Sequence, residues 1–308
     1  MRGEPGTPET PLEPPSPPHA AHYGLAHKRP GLGALLRTTY RLAPDTSVAI
    51  ALQVLSRPRP RTGMLERSAS RSGWRRSRLP FESGMLSVSE HLGSGARPRI
   101  VLVHGWGGNA MQMQGIANLL VEAGFCTTLV DLPAHGSSTG HTSSVAQFSR
   151  ALFALQARYG RVHGVVAHSA GALASAHAAT RGLAVDRLVL ISPPDSPARM
   201  VQSVAHAFGL PASWARRLVE RLGSYGGARL SEFELDRMAV QIALPTLIVH
   251  DACDRVAPVA SSRRIAALFA CGELLVTQGL GHQRLLSDPA VASRVLVHMA
   301  RNCTSLSW

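Results

Sequence analysis

Lysine is almost missing from this chain: of its 32 basic residues only Lys28 is not arginine. Aromatic residues are also scarce, at 5%. The four cysteines, Cys126, Cys253, Cys271 and Cys303, lie far apart, with no C-x-x-C pair and no histidine spacing suited to zinc. Neither a disulfide framework nor a metal site is indicated, which fits a reducing compartment. No apolar run approaches the roughly 20 residues of a membrane-spanning helix, since the longest candidate, Thr46 to Ser56, stops far short. The amino terminus carries Glu4, Glu9 and Glu13 among many prolines instead of a basic start and an apolar run, so no secretory signal is expected. These absences lead us to expect a soluble, cytoplasmic chain with no cofactor.

What the chain does have is 308 residues, 45% of them hydrophobic, enough to bury a large single core with an extension. The formal charge of +13 is unevenly spread: residues 1–80 hold 13 Lys+Arg against 5 Asp+Glu, or +8, and the remainder holds 19 against 14, or +5. Residues 1–30, dense in Pro, Gly and Glu, are expected to be disordered. Residues 31–77 read as an amphipathic helical segment followed by a basic linker. From Leu35 to Leu55, Val48, Ala51, Leu52 and Leu55 share one face and Arg37, Arg41 and Asp45 another, with Pro44 dividing the segment into two short helices. Docking against its own domain is the expected fate of that helix; weak contact with a membrane surface is the alternative. The linker from Ser56 to Pro80 lacks regularly spaced aromatics, so it reads as a solvated tether and no nucleic-acid partner is expected.

Residues 78–308 alternate short apolar runs with helical stretches. "RIVLVHG", "CTTLVDLP", "RVHGVVAH", "DRLVLISPP", "PTLIVHD" and "GELLVTQG" have the length and continuity of strands buried on both faces, hence a parallel sheet. Helical patterns at about Ala110–Ala123, Val145–Tyr159, Ala170–Arg181, Ser261–Ala270 and Pro289–Arg301 supply the crossovers. The expected fold class is α/β, a doubly wound, mostly parallel sheet. Arg78 to Glu90 reads as an antiparallel hairpin at the sheet edge, and residues 195–243, with helical signals only, read as a lid inserted over the active site.

In such sheets ligands sit where strands end at their carboxyl termini. "VVAH" runs into Ser169 and then a helix start, the strand, sharp turn and helix of a nucleophile elbow. The positions two before and two after the serine crowd together in that turn, and here they are Ala167 and Gly171. An ordinary helix cap is the competing reading of Ser169. "LIVHDACDRVAP" offers Asp254 and Asp251 as the acid; Asp254, beyond the strand, is preferred, Asp251 reads as a turn former, and Asp195 as the start of the lid. "VTQGLGHQR" presents His282 between a strand end and a helix, as the expected general base. Carbonyl chemistry also needs donors for an oxyanion. The glycine-lined turn of "VLVHGWGG" makes the backbone N–H of Trp106 a candidate beside that of Ala170. His104, Gly105, Gly107 and His168 flank these donors and are the candidates for lining a substrate pocket. His104 and His168, like His135 and His250, are expected to pack or hydrogen-bond, not to react, and Asp131, His135 and Gly136 to shape a loop.

Taken together, "HGWGG", "DLPAHGSS", "AHSAG", "HDACDRVAP" and "GLGH", spread over about Pro98 to Asn302, resemble the α/β-hydrolase superfamily. The departures are Ala167 for glycine, Asp251 where glycine is common and Ala257 where valine is common. The resemblance implies a serine hydrolase acting on a small-molecule acyl ester or thioester through an acyl-enzyme, with Ser169, Asp254 and His282 as its triad. Carbon–carbon bond hydrolysis or acyl transfer by the same triad, or a non-catalytic ligand-binding or membrane-peripheral member of the fold, are the alternatives.

Overall fold

In a computed structural model, residues 30–58, 73–93 and 97–301 are described. The expected disordered tail and most of the basic linker lie outside them. Helices α1 (Pro30–Leu42) and α2 (Pro44–Leu55) open the chain, divided at Ala43 where Pro44 begins a new first turn. Strands β1 (Trp74–Phe81) and β2 (Gly84–His91) form an antiparallel hairpin, and then strands and helices alternate. The strands are β3 (Arg97–Val103), β4 (Phe125–Asp131), β5 (Val162–His168), β6 (Val185–Ile191), β7 (Thr246–Asp251) and β8 (Gly272–Thr277). The helices are α3 (Gln114–Glu122), α4 (Val145–Tyr159), α5 (Ala170–Thr180), α6 (Pro197–Ala207), α7 (Ala212–Gly226), α8 (Leu235–Ala239), α9 (Val259–Ala266), α10 (Gly281–Arg284) and α11 (Pro289–Ala300).

The eight strands form one sheet in the order β1-β2-β4-β3-β5-β6-β7-β8. The β1·β2 and β2·β4 pairs are antiparallel and the others parallel. Alternate residues of the central strands point to opposite faces. Val101, Val103, Leu188 and Ile248 join Phe148, Leu173 and Ile265 in one buried layer, under α4, α5 and α9. Ile100, Leu102, Val189 and Leu247 join Ile116, Leu120 and Val295 in the other, under α3 and α11. Burial on both faces is what the continuous apolar runs encoded.

Three expectations need correction. The hairpin begins at Trp74, four residues before the boundary read at 78, because Trp74 pairs with His91 and packs its ring edge-on against it. The arginines read as linker, Arg75, Arg76 and Arg78, lie on this edge strand, where charge discourages further pairing. The run "GELLVT" is a half-exposed edge strand rather than one buried on both faces, since β8 pairs only with β7. The helix read at 261–270 runs instead from Val259, behind Pro258, to Ala266. The chain must turn after it so that Gly272 can pass the Ala266 carbonyl, which a Cβ at 272 would approach to 2.5 Å.

Residues 195–243, the segment read as a lid, contain helices only: α6, α7, α8 and a short 3₁₀ turn, Leu230–Phe233. The α1–α2 pair rests on this lid. Leu36, Val48 and Ala51 bury themselves with Val201, Val204, Phe208, Trp214 and Leu218 in a cluster separate from the two sheet layers. Polar contacts fix the fit: Trp214 Nε1 donates to Ser47 Oγ (3.0 Å), which donates to the Leu36 carbonyl (2.8 Å), and Arg37 donates to the Phe208 carbonyl (2.7 Å). No helix among the described residues is long and apolar enough to cross a membrane.

Candidate active site

Ser169 follows the last residue of β5 and precedes the first of α5, with φ 52° and ψ −121°. A side chain at positive φ costs of order 1–3 kcal/mol and persists only when its surroundings hold it. They do so on both sides. The Ser169 N–H donates to the Ile191 carbonyl at 2.9 Å, and its own carbonyl accepts from Ala172 N–H (2.9 Å) and Leu173 N–H (3.3 Å). A Cβ at Gly171 would lie 2.4 Å from the His104 carbonyl, so α5 approaches β3 this closely only with glycine there. Ala167, the departure from glycine on the other side, has its methyl fully buried in the core layer.

His282 and Asp254 reach the same point from two other strand ends. Gly279 and Gly281, at φ 85° and 67°, turn the chain after β8 and present the His282 ring. Its Nδ1 lies 2.7 Å from Asp254 Oδ2 and its Nε2 3.0 Å from Ser169 Oγ. Facing a carboxylate, Nδ1 carries the hydrogen, which leaves Nε2 to accept from the serine hydroxyl. The Asp254 side chain is fully buried. Burial by itself would raise its carboxyl, but hydrogen bonds from His250 and His282, the charge interaction with His282 and the Ala257 N–H hold it well below the usual carboxylate range. Val256 N–H (2.7 Å) and Ala257 N–H (3.0 Å) both donate to Oδ1.

Asp251, three residues earlier, does something else. Its carboxylate accepts from Cys253 N–H (2.9 Å), Thr277 Oγ1 (2.7 Å), Leu280 N–H (3.0 Å) and Gly281 N–H (2.8 Å), and so ties the loop bearing His282 to the end of β7. Asp195 sits at the lid entrance, accepting from Arg199 (2.6 Å) and Ser261 Oγ (2.9 Å).

The turn after β3 lies against Ser169: a Cβ at Gly105 would stand 3.0 Å from both the Ser169 Cβ and His168 Nδ1. The N–H groups of Trp106 and Ala170 enter none of the turn, loop or cap hydrogen bonds among the described residues. Two buried histidines hold this turn. His104 Nδ1 donates to the Gly105 carbonyl (2.7 Å) while its Nε2 accepts from Leu132 N–H (3.0 Å). His135 Nδ1 donates to the Pro133 carbonyl (2.8 Å) and its Nε2 accepts from Gly107 N–H (3.0 Å). Burial pushes the His104 imidazole down to about 4 and, with the His104 interaction added, that of His135 down to about 3, so both stay neutral acceptors. Asp131 completes the brace, accepting from Ala110 N–H (2.8 Å) and Ser137 N–H (2.9 Å). Gly136 must lack a side chain because a Cβ there would lie 2.2 Å from the Asp131 carboxyl.

Ser169, His282 and Asp254 therefore form one hydrogen-bonded chain, with Trp106 and Ala170 beside the serine. The pocket-lining expectation fails for His104, which is fully buried with both ring nitrogens engaged, and Gly107 serves through its N–H to His135. His168 is also buried; its Nε2 donates to the His282 carbonyl at 2.9 Å and its ring lies 4.8 Å from that of His282, centre to centre. Burial, with the neighbouring His282 adding to it, pushes His168 down to about 3. The sequence placed His250 at a strand end but gave no sign that its fully buried Nε2 stands 3.3 Å from Asp254 Oδ2.

Comparison with known proteins bears on the fold. The family profile described as alpha/beta hydrolase fold matches residues 98–241. A pimeloyl-[acyl-carrier protein] methyl ester esterase of Edwardsiella ictaluri is 28% identical over 235 residues, 64% of this chain and 90% of its own length. Among solved structures, an esterase of Pyrococcus furiosus superposes with a TM-score of 0.63 at 18% identity, covering 80% of this chain and 97% of its own. A bacterial membrane phospholipase A superposes with a TM-score of 0.57 at 20% identity, covering 90% of this chain and 98% of its own. At those identities the structural likeness speaks for the fold.

Proposed function

The chain is an α/β-hydrolase by fold, and from that premise we propose that it cleaves a carboxylic ester or thioester through a covalent acyl-enzyme. The observation that carries this reading is the hydrogen-bonded chain from Ser169 through His282 to Asp254. In it, the Ser169 hydroxyl attacks the substrate carbonyl carbon while its proton passes to His282 Nε2. The buried, ionised Asp254 stabilises the imidazolium that results and fixes its tautomer. The carbonyl oxygen becomes an oxyanion, received by the N–H groups of Trp106 and Ala170, each worth roughly 3–4 kcal/mol by the cost of removing such a donor. His282 then returns the proton to the leaving alkoxide or thiolate. A water molecule, deprotonated by the same imidazole, hydrolyses the acyl-serine. The esterase relatives support an ester substrate.

A fluorophosphonate probe tests the nucleophile and p-nitrophenyl esters of increasing chain length test the reaction. The expected result is stoichiometric labelling of the wild type, none in Ser169→Ala, and ester turnover that disappears with the label. A wild type that neither labels nor turns over any ester would overturn the reading.

A further inference from the structure

At the edge of the sheet opposite Ser169, near the amino ends of β6, β7 and β8, lies a cleft of about 570 Å³ lined by Arg187, Pro245, Cys271, Gly272, Glu273 and Arg301. Arg187 is more than nine-tenths buried, and its Nε has no hydrogen-bond partner. Among the described residues no carboxylate pairs with it. The one carboxylate of the cleft, Glu273, is already taken by Arg294 and Arg301. The neighbouring His298 adds no charge: burial, with the Arg187 charge behind it, pushes its imidazole down to about 4 and leaves it neutral. Three guanidinium groups thus share one carboxylate, a local excess of two positive charges, and the most deeply placed of the three is the one left over.

A cation buried to this extent with an unpartnered Nε is costly, and buried charges in folded proteins are nearly always paired. A guanidinium fork fits two oxygens of an oxyanion side by side. The local excess matches a phosphate group, which carries close to two negative charges at neutral pH. We propose that this cleft is a binding site for a phosphate group, free or as a small phosphate monoester, with Arg187 its principal ligand and Arg301 beside it. The site is separate from the reacting serine and independent of the hydrolase reading.

Isothermal titration calorimetry of the full chain at low ionic strength tests it, with inorganic phosphate in one arm, glycerol 3-phosphate in a second and acetate in a third. Saturable binding is expected in one or both phosphate arms, whichever binds identifying the source, with acetate at least tenfold weaker. Arg187→Met, which keeps the stem but not the charge, should lose the phosphate signal by at least tenfold. Glu273→Gln, which removes the competing carboxylate, should tighten it severalfold, and this second variant tests the site even where Arg187→Met does not fold. No saturable binding by the wild type, acetate binding as tightly as phosphate, binding unchanged in Arg187→Met, or binding unchanged or weakened in Glu273→Gln would each overturn the proposal.

Discussion

The carboxyl edge of the sheet and the helical cap formed by α1, α2 and the lid are held together by different forces. At the edge, almost every loop that carries a candidate group is fixed by a buried side chain accepting backbone N–H groups: Asp131, Asp251, Asp254, His104 and His135. The cap is an apolar cluster around Trp214 with a few polar pins. Hydrogen bonds are directional and apolar burial is not. A reacting geometry defined to fractions of an ångström needs the first kind of adhesive, whereas packing helix on helix needs only the second. Single changes should therefore separate the two regions, the edge responding in rate as well as stability and the cap in stability alone.

The largest separation is expected from Asp254→Asn, which reverses the hydrogen bond that orients His282; kcat should fall by about 10⁴, far more than the accompanying loss of stability explains. Asp251→Asn should cost stability instead, and if it lowers ester turnover more than Asp254→Asn does, the roles of the two carboxylates are reversed. Next, Trp214→Ala should remove about 3–5 kcal/mol of stability, read from urea unfolding, with kcat kept; a loss of kcat at unchanged stability would erase the distinction between cap and edge.

Acid should loosen the edge first. His104, His135 and His168, together with His298 across the sheet, have folded-state values pushed down to about 3 or 4, against an unfolded value of about 6.5. Their contribution is complete above that unfolded value and drains away as pH falls from there toward the folded values, because the unfolded chain binds the protons first. Urea midpoints should drop steadily from pH 7 to pH 5, and a flat profile would show that these imidazoles are not buried neutral. The smallest effect is expected from His168→Leu. Losing the donor to the His282 carbonyl is worth about 1 kcal/mol, so kcat should fall severalfold. His168→Gln, which keeps an N–H at similar reach, should recover much of it.

Much of this was legible in the chain because it was written in periodicity. Continuous apolar runs marked a parallel sheet, and the strand endings marked where Ser169, Asp254 and His282 would converge. The preference for Asp254 over Asp251 rested on one loop residue's position, and the hydrogen bonds now show what each carboxylate touches. Not legible was anything set by side-chain direction across the sheet. His104 adjoins the glycine turn in sequence yet its ring points into the core, and His250 reaches Asp254 only because the loop from Ala252 to Ala257 folds back over it. The half-exposed face of β8 was likewise hidden, since an edge strand and a central one share a composition when the edge still packs on a helix. The basic run before Pro80 misled for the converse reason: an arginine-rich edge strand and a solvated tether look alike until pairing is known.

The α1–α2 pair rests mainly on the lid, and that has a practical meaning for anyone recombining this chain with its relatives. Grafting a foreign lid between Asp195 and Ala243 would strip Leu36, Val48 and Ala51 of their cover, and deleting the leading helices would bare Trp214 and Leu218. The two segments, about 140 residues apart in the chain, pack as a single module and should be transplanted together.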